Sequence, residues 1–191
     1  MSPRNSQELL QKLTEITISN RAAARRVAAL DPATLHQRPR PDAWNALECF
    51  AHLNYYSDYY VPEMRRRIEE AQHGGQATYT SSWLGNKFAA GMKPSPEMRK
   101  INTPKGANPL NFSEAPTEAA IERFIAYQEE TLELLKLAAN VDLTKTKTGI
   151  SIIPLLKIRL CDTLRVVIYH NWRHVLQAQR ACGLAVTEAA T

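Results

Sequence analysis

The chain has 191 residues, 44% of them hydrophobic and 23% charged, which suits one globular domain over 1–191 with a substantial core. Its formal net charge is +5, but the basic residues are scattered and no aromatic residues are interleaved with them, so nucleic-acid binding is disfavoured. No segment approaches the roughly 18 apolar residues of a membrane helix. The N-terminus lacks the apolar stretch of a signal peptide, and the three cysteines form no CxxC pair. These features predict a cytoplasmic protein.

The first two predicted helices lie in the N-terminal part of the chain. Apolar residues recur at three- and four-residue spacing over 9–30, which indicates one helix with a single buried stripe. A second helix is predicted over 43–72, with Asp42 as its N-cap. Pro62 removes one backbone hydrogen bond inside this helix and is expected to kink it.

Two further helices are predicted in the C-terminal part. The third covers 117–139 and carries one apolar face. The fourth begins near Asp162, a second predicted N-cap, and ends at Cys182 with Gly183 in the C′ position.

Two irregular stretches separate these helices. Residues 73–116 are rich in Gly, Pro and Ser, with a short helix predicted over 83–92, and a connection of this length can form a lid or a crossover. Residues 140–161 are predicted to be extended, with Pro154 limiting their role in a sheet. The pattern predicts an all-α fold, a four-helix bundle with a long crossover connection between helices 2 and 3.

The fourth helix carries a pair of histidines four residues apart, within the stretch "YHNWRHVLQ". At this spacing the Cβ atoms of His170 and His174 lie about 6 Å apart, so that both rings can reach one cation. The two histidines also fall on one row of the helix, and we expect this row to face inward because it includes an apolar member. The row consists of Thr163, Val167, His170, His174 and Gln177.

A third histidine, His52, lies on another row of polar side chains in the second predicted helix. This row also includes Asn45, Glu48, Tyr55 or Tyr56, and Tyr59. Such a polar row is tolerated in a bundle core only if its members find partners, and a buried metal ion with its surrounding hydrogen bonds supplies them. Spacing alone leaves two interpretations: a three-histidine metal site with open coordination positions, or three separate, partly buried histidines.

Other residues beside these rows are weaker candidates. Glu48 could orient an imidazole or act as a base, and equally could be a structural hydrogen-bonding residue. Tyr56 and Gln177 share the rows of the histidines and could contact a substrate or cofactor. Arg173 is expected to point sideways and to form an ion pair, and Cys49 is expected to be a small core residue rather than a fourth ligand.

The segments "PDAWNALECFAHLNYY" and "YHNWRHVLQAQR" resemble the DinB/YfiT-like superfamily of four-helix proteins. The resemblance rests on a tryptophan at the start of helix 2, a histidine further along it, and HxxxH in helix 4. It implies that His52, His170 and His174 are ligands of a divalent metal ion. Imidazole suits zinc, nickel, iron and cobalt alike, and we expect zinc or nickel.

The resemblance also implies the class of activity. Members include S-transferases and isomerases that use a low-molecular-weight thiol, and others are described as metal-dependent hydrolases. We therefore expect a metal-dependent enzyme acting on a small-molecule substrate. The alternative is a non-catalytic metal- or ligand-binding stress-response bundle, and the apolar helix faces are compatible with a homodimer.

Overall fold

The computed structural model describes residues 1–95, 102–151 and 153–186. Its helices are α1 (Ser6–Ala28), α2 (Pro32–Leu35), α3 (Ala46–Glu69), α4 (Trp83–Met92), α5 (Ala119–Ala138) and α6 (Leu160–Ala181), with single 3-10 turns at Lys105–Ala107 and Pro109–Asn111. Its strands are β1 (Arg4–Asn5), β2 (Thr78–Tyr79), β3 (Lys147–Ile150) and β4 (Ile153–Arg159). The four long helices α1, α3, α5 and α6 correspond to the four predicted ones.

The long helices pack side by side in the order α1–α5–α3–α6. Helix α1 contacts α5 and α6, and α3 contacts the same two helices from the opposite side. One apolar cluster includes Leu13, Met64 and Leu164, and a second includes Phe50 and Phe124. This arrangement makes α3 and α6, which carry the histidines, direct neighbours.

The expectation of an all-α fold is incomplete, because two small antiparallel sheets accompany the helices. Strand β1 pairs with β2, and β3 pairs with β4. The second pair lies within the stretch predicted to be extended, and its register shifts between Gly149 and Ile150. Pro154 lies in β4 within this irregularity, so its missing N–H group falls where the regular pairing is interrupted.

Both predicted N-caps are wrong. The N-cap of α3 is Asn45 rather than Asp42, and its side chain accepts from the backbone N–H of Glu48 while the Glu48 carboxylate accepts from the Asn45 N–H. This reciprocal pair is a capping box, which satisfies two backbone donors at once. Helix α6 begins at Leu160, so Asp162 lies inside its first turn.

Asp162 instead holds α4 against α6. Its carboxylate is fully buried and accepts from both the backbone N–H and the hydroxyl of Ser82, the N-cap residue of α4. A Cβ atom at Gly85 would come within 2.3 Å of the same carboxylate. The close approach of the two helices therefore requires glycine at position 85.

The predicted C-terminus of α6 is confirmed. The helix ends at Ala181 with Cys182 as the C-cap, and Gly183 follows with a φ of +68°. The backbone N–H of Gly183 donates to Arg180 and that of Leu184 donates to Gln179. These two bonds form a Schellman motif, in which glycine takes up the left-handed conformation without steric penalty.

Candidate metal centre

The three histidines named from the sequence lie together between α3 and α6. One ring nitrogen from each of His52, His170 and His174 can be chosen so that these atoms all lie within 4.8 Å of one another. The Nε2 atoms of His52 and His170 are 3.2 Å apart. Within the described part of the chain, no further histidine, cysteine or carboxylate joins this group.

Hydrogen bonds orient two of the rings through their outer nitrogens. His52 Nδ1 lies 2.8 Å from the carbonyl oxygen of Ala107, which can only accept, so this nitrogen carries the proton. His174 Nδ1 lies 2.8 Å from Gln177 Oε1 and donates to it in the same way. Both Nε2 atoms are left with a lone pair directed toward the shared space, and a protein partner on the outer nitrogen is the usual arrangement for metal-ligating histidines.

The surroundings keep the imidazoles neutral. Burial lowers the pKa of His52 from its ordinary 6.5 to about 4, against a smaller opposing effect of the Ala107 hydrogen bond. Burial and the neighbouring His52 lower the pKa of His174 to about 3. Burial, followed by the nearby His174 and His52, holds the pKa of His170 well below its ordinary value. Neutral imidazole is the form that binds a metal ion.

Aromatic rings surround the histidines. The Trp44 ring centroid lies 4.8 Å from that of His52 and 5.7 Å from that of His174. Tyr56 meets the rings of His52 and His170 edge-on, at 5.1 and 5.0 Å. Burial raises the pKa of Tyr56 from its ordinary 10 to about 12, and its protonated hydroxyl can donate a hydrogen bond.

The histidines face a cavity of about 980 Å³, which is at the upper end of the range for small-molecule sites. The predicted row on α6 is confirmed as part of its wall, since all five members line it: Thr163, Val167, His170, His174 and Gln177. Part of the long connection between α3 and α5 completes the wall from the other side, through Asn102, Thr103, Pro104, Asn108 and Leu110. This part of the connection thus forms one wall of the cavity.

Some of the weaker candidate residues line the cavity, and others lie outside it. Tyr56 and Gln177 line the cavity, whereas Glu48 is not among its lining residues. The two Glu48 oxygens bind the Asn45 N–H group and the Arg38 guanidinium. Glu48 therefore stabilises the start of α3. Cys49 is fully buried in the apolar core, as expected.

Sequence reasoning missed several contributors to the cavity. Arg173 was expected to point sideways, but it lies on the cavity wall. Lys87 and Phe88 on α4 also line the cavity, although no spacing rule connects them with the histidines. The contact of His52 with Ala107 is made by a backbone carbonyl, which leaves no signal in the side chains of the sequence.

The donor set fits a divalent metal ion of the kind that imidazole binds. Three neutral rings offer three nitrogen ligands, and two of them are fixed by outer hydrogen bonds. The fold and the site together define a bundle of long helices with a candidate three-histidine metal centre in a deep cavity.

Comparison with known families identifies this class. The model of the DinB superfamily matches residues 15–178, and the chain belongs to that superfamily. The match spans all three histidines and most of the four long helices. No curated protein and no solved structure matches the chain. Among the described residues, no helix is both long enough and apolar enough to cross a membrane.

Proposed function

We propose that the chain is a metal-dependent enzyme in which His52, His170 and His174 hold a divalent ion, zinc or nickel, that activates a low-molecular-weight thiol for transfer to a second small molecule. The observation that carries the proposal is the convergence of three neutral imidazoles on one wall of a large cavity. Three protein ligands leave coordination positions for a reactant, which is typical of catalytic rather than structural sites.

The chemistry follows from the ligand set. A divalent ion held there would act as a Lewis acid that lowers the pKa of a thiol or of water at neutral pH. The Ala107 carbonyl and Gln177 fix the tautomers of His52 and His174, so that their Nε2 lone pairs are available as ligands. Tyr56 keeps its proton and can donate a hydrogen bond to a reactant beside His52 and His170.

The size of the cavity is compatible with the two reactants that a transfer reaction requires. A hydrolase needs room for one substrate and a water molecule, whereas a transferase must hold a thiol and its acceptor together. A volume of about 980 Å³ lies at the upper end of the range for single-ligand pockets. Membership of the DinB superfamily is compatible with both activities and with a non-catalytic metal-binding bundle.

Metal analysis of purified protein tests the ligand set. We expect His52→Ala, His170→Ala and His174→Ala each to lose most of the bound metal, and His73→Ala, an exposed histidine outside the cluster, to retain it. Full metal content in all three cluster variants would contradict the proposal.

Thiol reactivity tests the activity. We expect the metal-loaded protein to accelerate the reaction of an added low-molecular-weight thiol with an electrophile, and each cluster variant to lose this acceleration. Metal binding without acceleration, combined with unfolding when the metal is removed, would identify a structural site instead.

A further inference from the structure

Among the described residues that line the cavity beside the histidines, cationic side chains outnumber acidic ones. Arg40, Lys87 and Arg173 are cationic, and Asp42 is the acidic member. Asp42 Oδ1 lies 3.5 Å from Arg40 Nε at the exposed rim, so the charges of these two side chains offset each other. The remaining cations, Lys87 and Arg173, lie on α4 and α6, two helices that pack against each other.

The ammonium group of Lys87 contacts an aromatic ring. Its Nζ lies over the Trp83 ring, 5.3 Å from the centroid, and Trp83 itself is 72% exposed. In the described part of the chain, the ion pairs do not include Lys87. An indole face attracts an ammonium group but accepts no conventional hydrogen bond from it, so the N–H donors of Lys87 stay available for an anion.

Arg173 contributes a second, partly buried cation on the same side. Its Nη1 donates to the carbonyl oxygen of Gly91 on α4 at 3.4 Å, which connects the guanidinium to the helix that carries Lys87. Both cations therefore lie on the same wall of the cavity.

The same two helices also offer apolar surface. Phe88 and Met92 on α4, and Val166 and Val167 on α6, line the cavity beside the cations. A ligand that contacted both the cations and the apolar side chains of this wall would combine an anionic group with an apolar chain.

We propose that the α4–α6 wall, defined by Lys87, Arg173, Phe88, Met92, Val166 and Val167, binds a carboxylate-bearing organic ligand, with Lys87 contacting the carboxylate. The inference rests on the proposed function, because the reacting group of this ligand is taken to lie at the three histidines. It specifies the substrate class that the proposed function left open: a small organic anion with an apolar body rather than a neutral or cationic one.

Cobalt-loaded full-length protein tests the inference through the sulfur-to-cobalt absorption of bound thiols. The probes are 3-mercaptopropionate and 6-mercaptohexanoate, each compared with the alcohol of equal chain length. We expect the carboxylate to bind roughly fivefold tighter than the alcohol at one or both lengths, the size typical of one favourable ion pair. Lys87→Glu should abolish this preference.

The matched control is Lys145→Glu, which changes the net charge by the same amount at an exposed lysine outside the cavity lining. It should keep the preference for the carboxylate. Equal affinity for acid and alcohol at both lengths in the wild-type protein would overturn the proposal. Equal losses in the two variants would also overturn it, because they would indicate a long-range charge effect. A preference that persists in Lys87→Glu would overturn it as well, because it would indicate direct binding of the carboxylate to cobalt.

A second measurement separates this inference from the proposed function. Calorimetry compares hexanoate with hexanol on metal-free protein, so its result stands even if no thiol reaches the metal. A preference for hexanoate that Lys87→Glu removes supports the anion site. Equal affinity for hexanoate and hexanol overturns the site. On cobalt-loaded protein, hexanoate that binds alongside 2-mercaptoethanol would assign the carboxylate to the acceptor, and mutual exclusion that Lys87→Glu relieves would assign it to the thiol. Mutual exclusion that persists in Lys87→Glu would indicate that the carboxylate binds cobalt directly and would overturn the site.

Discussion

A single hydrogen bond fixes the tautomer of His174, one of the three proposed metal ligands. An imidazole can carry its proton on either nitrogen, and only the tautomer with a bare Nε2 directs a lone pair toward His52 and His170. Gln177, three residues further along α6, accepts from Nδ1 at 2.8 Å and selects that tautomer. The two side chains belong to one helix, so this orientation depends little on the packing of other elements.

Replacing Gln177 therefore tests the importance of ring orientation. We expect Gln177→Leu to lower metal affinity roughly 10- to 100-fold, the usual effect of removing a partner of a ligating histidine. The measurement is competition with a chromophoric chelator. Gln7→Leu, at an exposed glutamine on α1, should bind metal with wild-type affinity, and equal affinities in the two variants would argue against the orienting role.

At the scale of elements, α4 depends on its contact with α6. Ser82 caps α4 and also donates to the buried Asp162 of α6, while Gly85 leaves room for the same carboxylate. The side chain of Arg165 adds hydrogen bonds to Ser81 and Asn86. Because α4 carries Lys87 and Phe88, these contacts also set the shape of the cavity.

Two glycine substitutions within α4 separate packing from helix propensity. A Cβ at Gly85 would clash with Asp162 at 2.3 Å, whereas a Cβ at Gly91 meets nothing within 4 Å. We expect Gly85→Ala to lower the free energy of unfolding by about 1–3 kcal/mol, as overpacking does. Gly91→Ala should leave it unchanged or raise it by up to about 1 kcal/mol, because alanine favours helix. Urea unfolding measures both, and equal effects would disprove the clash.

At the scale of the whole molecule, the histidine cluster links stability to pH. The folded pKa of His52 is about 4 and its ordinary value is 6.5. Between these values the unfolded chain binds a proton that the folded chain does not, so protonation favours unfolding. The contribution of a neutral His52 is fully present above pH 6.5 and is lost as the pH falls toward 4.

We therefore expect metal-free protein to lose stability between about pH 6.5 and pH 4, with on the order of 3 kcal/mol attributable to His52. Urea unfolding at a series of pH values measures this slope. His52→Gln should make the slope shallower over this range, while His73→Gln should leave it unchanged. A wild-type slope in the His52 variant would contradict the assignment.

The sequence predicts those parts of the fold and the site that depend on periodicity. The spacing of apolar residues locates all four long helices, and the four-residue spacing of His170 and His174 places both on the row that lines the cavity. His52 joins them because α3 and α6 are neighbours, which the family resemblance implied and periodicity alone did not.

Other features depend on tertiary contacts, and the sequence did not predict them. Asp42 and Asp162 are both suitable N-cap residues, but Asn45 gains a reciprocal bond with Glu48, and Asp162 pairs with Ser82 across 80 residues of chain. The strand pairing of β3 with β4 tolerates Pro154 through a local irregularity. Lys87 reaches the cavity through the packing of α4 on α6.

The hydrogen bond from His52 to Ala107 has a consequence for mutational studies. The acceptor is a main-chain oxygen, so exchanging the side chain at position 107 does not remove it. Ala107 is 1% exposed, so a larger residue there would disturb the site through its volume. It would not remove the hydrogen-bond acceptor. An alanine scan of 102–112 would therefore overlook the contact that ties this loop to the centre. Related chains could change the composition of the loop widely while keeping the same support for the histidine.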